Sequence, residues 1–497
     1  MSALERVRSF VFFTRDLRVR VAGSYLVVLL GLLSLGASSA EELRQELDHI
    51  FSDRALQQTS LGLRVVSVTS GKVLYSYHAD RTLIPASNVK LATTAAALQY
   101  LGADYQFTTK VAATGAIDDA GVLHGDLVIV GGGDPNISGR FYGGDPTGAF
   151  RQWTAALRRR GLRVVAGDLI GDERFFDGQH RHPTWPKGQE AYWYEAPIGA
   201  LSLNDNCVDF SLVPTVLGRP ARLEVSPPTH YLQFHNRCLT RRAGGAPKVL
   251  FGRAVGSREV SVRGSIPEGV ARVTNYVTVD NPGEFFLVVL RPVLLAEGIE
   301  VKGKSRLVEP DETLPPLTVV VEHRSGLAAS IRVANKRSQN FYAEQILKTL
   351  GRELLAEGSF AQGVEAVMRF LAQATIDTAG CRLVDGSGLS RENRLSARCI
   401  TELLVHMARS PVADIYIESL SQAGVDGSLR RRPITSEVQA EVFGKTGTLA
   451  GVRALSGYVR TPGGELLAYS FLMNGPAAGS WQARQLQNQA LDVLARY

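Results

Sequence analysis

The stretch PASNVKLATTAAAL, residues 85–98, constrains the fold more than any other. From Val89 onward it carries Ala, Leu and Thr on every side, and a helix that is apolar all round must lie inside a core. Lys90 sits in its first turn, where packing alone has no use for an amine. Ser87 stands three residues earlier, so the hydroxyl and the amine point from one face. The plain reading is an N-capping serine followed by a lysine that snorkels to water. The chemical reading is a nucleophile and its base. A serine hydroxyl is a poor nucleophile until something takes its proton, and burial or a second nearby cation pushes an amine toward neutrality.

A Ser-His-Asp triad has no local support. None of the nine histidines lies in a motif-like stretch, and Ser87 is not embedded in GxSxG. An SxxK pair alone is weak evidence, since one or two are roughly expected by composition in a chain of this size. Two later stretches add to it. NKRSQNFYAEQILKTLG, 335–351, places Ser338 and Asn340 at the start of another expected helix. FGKTGTLAG, 443–451, places Lys445, Thr446, Gly447 and Thr448 on an expected strand. Taken singly, the first reads as a helix cap and the second as an exposed strand with a glycine bulge. The ordered set SxxK, SxN, KTG-T is what coincidence does not supply.

That set resembles the penicillin-recognising serine DD-peptidases and β-lactamases. With GDLVIVGGGDP (125–135) and LVDGSGLSRENRLS (383–396), the chain more closely resembles the D-alanyl-D-alanine carboxypeptidase/endopeptidases of the low-molecular-mass class C penicillin-binding proteins. The resemblance implies an α/β (α+β) fold. A transpeptidase-like domain with an antiparallel sheet and a helical cluster would be made from both chain ends, interrupted by a large β-rich insert. It implies hydrolysis of peptidoglycan stem peptides ending D-Ala-D-Ala, and of D-Ala cross-links, with β-lactams as covalent inhibitors. Ser87 would attack, Lys90 would accept its proton, and Ser338 would relay a proton to the leaving amine. Asn340 would hold a substrate amide. Lys445, Thr446 and Thr448 would bind the terminal carboxylate, and Gly447 would let substrate lie along the strand. Arg391 matches a position that meets the third stem residue, with Glu190 as the candidate acidic partner. No metal or cofactor is implied.

The texture of the chain suggests the boundaries. A catalytic domain is expected over 41–106 and 325–497, with inserted material over 107–324 and a nested sub-domain at about 215–275. Residues 1–40 combine five arginines, the apolar run YLVVLLGLLSLG and small residues at Ser38 and Ala40, which reads as a cleaved secretory signal rather than a short anchor helix. Export, to the periplasm or envelope, is therefore expected, with membrane association at most peripheral. The formal net charge of +7 falls to about +4 without that leader. No basic run is interleaved with aromatics, so nucleic acid is not an expected partner. The four cysteines form no CxxC. Of three possible pairings in an oxidising compartment, the sequence-local Cys207–Cys238 and Cys381–Cys399 are preferred to free thiols. Two other functions remain open at this level: a β-lactamase, which needs a dedicated water-activating residue, and a non-catalytic envelope-binding protein on the same scaffold.

Overall fold

The computed structural model describes residues 40–432 and 440–497. The leader, apart from Ala40, lies outside the described residues. Two sets of strands organise the molecule. The first is a six-stranded sheet whose strands run in the order Ser421–Gln422, Glu441–Leu449, Val452–Arg460, Leu466–Asn474, Ser60–Ser67, Val73–Tyr77. All its pairings are antiparallel. Both ends of the chain therefore build one sheet.

Side chains alternate between the faces of that sheet, as the pleat requires. Leu467, Tyr469, Phe471 and Met473 pack with the helix over 40–51 and the terminal helix Trp481–Arg496. Ala454, Ala468 and Leu472 face a larger helical cluster on the other side. At its centre runs Val89–Tyr100, whose first ten residues are all buried. Around it lie Leu327–Lys336, Asn340–Leu355, Phe360–Gln373 and Ala397–Ala408. The all-round apolar pattern is thus satisfied by a position wrapped between sheet and helices. Two helices of this half, Leu327–Lys336 and Ala413–Ser419, were not foreseen from the pattern.

The second set belongs to residues between the two halves of that scaffold. A five-stranded sheet runs in the order Ser305–Leu307, Leu169–Asp172, Leu127–Val130, Gln106–Ala113, Thr318–Gly326. Helices Gly148–Arg159 and Pro282–Ala296 share its core. The first and last strands of this section pair antiparallel, with Gln106 opposite Gly326. A stretch of more than two hundred residues therefore leaves and rejoins the scaffold at adjacent points, and its exit strand runs directly into helix Leu327–Lys336, just before Ser338. Residues 207–278 form two further three-stranded sheets. Strand Cys207–Val213 pairs with both Arg222–Ser226 and Val273–Thr278.

The two expected cysteine pairs fare differently. All four described cysteines are free thiols. Cys207 and Cys238 cannot meet. Cys238 accepts a backbone hydrogen bond from Ala221, beside the Val213 end of strand Cys207–Val213. Cys207 lies six residues away at the other end, about 20 Å along an extended chain. The two also belong to different cores. Cys381 and Cys399 do lie together: their thiols are hydrogen-bonded, and that bond leads the causes that bring the Cys381 thiol down to about 7.

Candidate active site

Three elements converge on a cavity of about 600 Å³ lined by Ser87, Ser338, Asn340, Arg391, Thr446 and Thr448, among others. Ser87 lies in the 3-10 turn Ala86–Asn88, one step before the buried helix. Asn88 pins that turn to the sheet, donating to Ser456 Oγ at 2.6 Å, and Ser456 in turn donates to Ser470. Ala86 is held at φ 45, a conformation that L residues avoid and that persists only where the surroundings enforce it. The enforcement is visible on two sides. A Cβ on Gly447 would stand 2.8 Å from the Pro85 carbonyl oxygen, and one on Gly388 only 1.8 Å from that of Ala86. Gly447 is buried against the nucleophile turn, so its missing side chain first serves the seating of that turn against the strand.

Lys90 is fully buried. Its Nζ donates to Ser87 Oγ at 3.0 Å, Asn340 Oδ1 at 2.7 Å and the Ser387 carbonyl at 2.7 Å. Burial lowers its pKa well below the usual lysine range, while the charges of Glu344 and Asp385 pull the other way. Lys445 is buried as deeply. It donates to Ser338 Oγ at 2.7 Å and to the Thr446 carbonyl at 2.8 Å. Burial lowers Lys445 first, and repulsion from Lys90 lowers it further. Two buried ammonium groups this near each other repel, so the pair favours a low proton count.

Ser338 and Asn340 do not open the helix together. The helix runs Asn340–Leu355, and Ser338 stands before it in a tight connection from Leu327–Lys336, at φ 57. Asn340 Nδ2 donates to the Tyr194 carbonyl at 2.8 Å, tying the SxN segment to the insert. Thr446 Oγ1 donates to Ser428 at 2.9 Å, and Thr448 is exposed at the cavity. Arg391 lines the same cavity and donates to the Ala450 carbonyl at 2.9 Å. Glu190 does not line it. Its carboxylate turns back to accept from the Gly188 N–H at 3.0 Å, and the neighbouring Gln189 faces the cavity instead. Among the described lining residues there is no carboxylate.

Residues that motif reading passed over complete the arrangement. Glu344 is fully buried and accepts from the N–H groups of Gly386 at 2.9 Å and Ser387 at 2.7 Å. Asp385 accepts from Gly388, Ser390, Asn393 and Trp185. Together the two carboxylates shape the loop whose Ser387 carbonyl holds Lys90. A signal was present: Glu344 stands four residues after Asn340, one turn along the same helix face.

The D-Ala-D-Ala carboxypeptidase 3 (S13) family matches residues 43–497. The chain belongs to this family. It is a serine peptidase, a hydrolase of the D-alanyl-D-alanine carboxypeptidase class. Along 92% of its length it is 35% identical to 87% of a D-alanyl-D-alanine carboxypeptidase of Actinomadura sp. (strain R39). A second relative, the D-alanyl-D-alanine carboxypeptidase DacB of Haemophilus influenzae, is 24% identical over 86% of this chain and 88% of its own. The crystal structure of penicillin binding protein 4 (dacB) from Haemophilus influenzae superposes with a TM-score of 0.76 at 23% identity, covering 91% of this chain and 99% of the other. That likeness places the S13 member among proteins of the same transpeptidase-like fold.

Proposed function

We propose that this chain hydrolyses the terminal D-Ala-D-Ala amide of peptidoglycan stem peptides, and the D-Ala cross-link amide, through an acyl-enzyme on Ser87. One observation carries the reading: the buried, proton-poor Lys90 amine lies 3.0 Å from the Ser87 hydroxyl. A base must be within hydrogen-bond reach and poised near the working pH, and Lys90 meets both conditions. Ser87 Oγ attacks the carbonyl carbon of the penultimate D-Ala and its proton passes to Lys90 Nζ. The backbone N–H groups of Ser87 and Thr448 hold the oxyanion, each such donor contributing about 3 kcal/mol to the transition state. The substrate carboxylate lands on Lys445, Thr446 and Thr448. Its charge raises the Lys445 pKa again, so Lys445 takes up a proton as substrate binds. Ser338, bonded to Lys445, then passes a proton to the leaving amine. Water attacks the ester carbonyl and gives its proton to the Ser338–Lys445 pair, which is one proton short, while Lys90 returns its proton to Ser87 Oγ and the shortened peptide leaves.

Asn340 orients both Lys90 and the substrate amide, and Arg391 meets an anionic group on the third stem residue. Among the described residues that line the cavity no carboxylate stands ready as a deacylating base, which favours a peptidase with a long-lived penicillin adduct over a β-lactamase. The test is covalent labelling of the full chain by penicillin. The label should map to Ser87, persist, and vanish in Ser87→Ala, while the native protein releases free D-Ala from a pentapeptide. Label on another residue, or no D-Ala, would refute the assignment.

The surrounding organisation belongs to the same proposal. Residues 41–106 and 325–497 act as the catalytic domain and 107–324 as an insert whose paired entry and exit strands leave the catalytic sheet undisturbed. Residues 1–40 direct export. In an oxidising compartment the adjacent Cys381 and Cys399 thiols close into a disulfide that brackets the loop carrying Ser387 and Arg391.

A further inference from the structure

A second cavity, of about 430 Å³, shares the Trp193 wall with the serine cleft. Its floor is polar and buried. Asp205, 8% exposed, accepts through Oδ2 from Arg140 Nη2 at 2.6 Å and Gln339 Nε2 at 2.8 Å. Gln339 is 5% exposed and is the middle residue of the SxN segment. Among the described residues, Asp205 Oδ1 and Gln339 Oε1 have no partner. A buried acceptor without a donor is costly, so the floor of this cavity has acceptor capacity to spare. The Gln339 amide cannot rotate to cure the deficit, because its nitrogen is already engaged by the carboxylate.

The walls narrow the ligand class. Asp209 and Tyr276 stand opposite each other on paired strands and share one face of the sheet. Asn204 Nδ2 donates to Asp209 at 2.9 Å. Trp193 and Tyr276 are 39% and 45% exposed, two amphipathic rings at the rim. Asp205 is already neutralised by Arg140, so the ligand need not carry charge. A ligand that fits this lining donates to the carboxylates Asp205 and Asp209, accepts from the arginines Arg140 and Arg337, and offers an apolar face to the rings. Hydroxyls do both hydrogen-bonding tasks, and a pyranose joins them to a flat C–H face.

We propose that this cavity is a sugar subsite that holds one ring of the glycan strand bearing the stem peptide under attack. The inference rests on the peptidoglycan reading above and deepens it: the enzyme recognises the polymer as well as the peptide end. Gln339 links the two cavities, lying between Ser338 and Asn340.

The experiment compares kcat/KM for D-Ala release from a disaccharide-pentapeptide and from the same pentapeptide without sugar. The native protein should favour the glycosylated substrate about tenfold, through KM. That preference should fall to about one in Asp209→Asn and in Tyr276→Ala. A ratio near one in the native protein, or one that survives both substitutions, overturns the sugar subsite while turnover of the bare peptide upholds the Ser87 reading. If neither peptide is turned over, the Ser87 reading fails. Titration with tri-N-acetylchitotriose, read by tryptophan fluorescence, then decides the cavity alone: a saturable change lost in Asp209→Asn sustains it, and no change overturns it.

Discussion

Gly388→Ala tests whether the nucleophile is placed by its neighbours or by its own turn. Gly388 sits at φ +81, and a Cβ there would lie 1.8 Å from the Ala86 oxygen, 2.4 Å from its carbonyl carbon and 3.1 Å from Ser87 N. Ordinary contact begins at 3.4 Å, so backbone must move by about 1.6 Å. Neither side yields freely. Ala86 is strained already and Gly447 blocks retreat behind Pro85. On the other side, the Gly388 N–H is bound to Asp385 at 2.8 Å and the adjacent Ser387 carbonyl holds Lys90. The left-handed alanine costs about 1–2 kcal/mol and the overlap about 1–3 kcal/mol. That leaves a protein of ordinary stability, about 5–15 kcal/mol, folded but weakened. Chemistry suffers more, because misplacing a reacting group by about 1 Å costs on the order of 100-fold. The assay is the second-order rate of Ser87 acylation by a fluorescent penicillin, with thermal unfolding in parallel. The matched control is Gly464→Ala, at φ +82 with nothing within 4 Å of the added Cβ. It should lose stability alone. Gly388→Ala acylating within threefold of the native rate would refute the reasoning.

The same acylation rate followed from pH 5 to 10 should have its acid limb well below the usual lysine range near 10.5, because burial lowers Lys90; a limb near 10 would mean that Lys90 is not the base. Glu195, 1% exposed and walling the cleft through its own turn, is raised by burial from 4.5 to about 7. Between those values the folded chain keeps a proton that the unfolded chain releases, so stability falls as pH rises through the window, by about 3 kcal/mol at most. Glu195→Gln mimics the neutral acid and should flatten the difference between urea midpoints at pH 5 and pH 7.5; an unchanged slope would assign the effect elsewhere. Lys348 is fully buried and donates to Asp177 at 2.6 Å and the Gln179 carbonyl at 2.7 Å, joining helix Asn340–Leu355 to the insert. Lys348→Met should cost about 3 kcal/mol by stranding Asp177, and Asp177→Asn in the same chain should restore part of it; equal melting temperatures for Lys348→Met and native would remove that link from the fold's energetics.

What could be read along the chain and what could not divide on a physical line. Ser87 and Lys90 share a helix turn, and Lys445 to Thr448 share a strand, so spacing alone brings each group together. The convergence of the three motifs was legible only as an ordered set, because nothing local says that Lys445 Nζ will lie 2.7 Å from Ser338 Oγ. Long-range geometry also decides which cysteines can meet. Cys207 and Cys238 are close in number yet lie at opposite ends of a strand. Glu190 turns its carboxylate to the Gly188 N–H two residues back, a local contact that its charge alone does not announce. The field at Lys90 was the least legible part. Its pKa depends on Glu344 and Asp385, more than 250 residues downstream, whose charges partly offset the lowering by burial. Those same carboxylates hold Gly386, Ser387 and Gly388 in place. One pair of buried acids therefore sets both the position of the base and its readiness to take a proton. Neutralising either one would move the geometry and the pKa together, so Glu344→Gln should slow Ser87 acylation by penicillin more than Arg391→Ala on the rim, and equal rates in the two variants would refute that ordering.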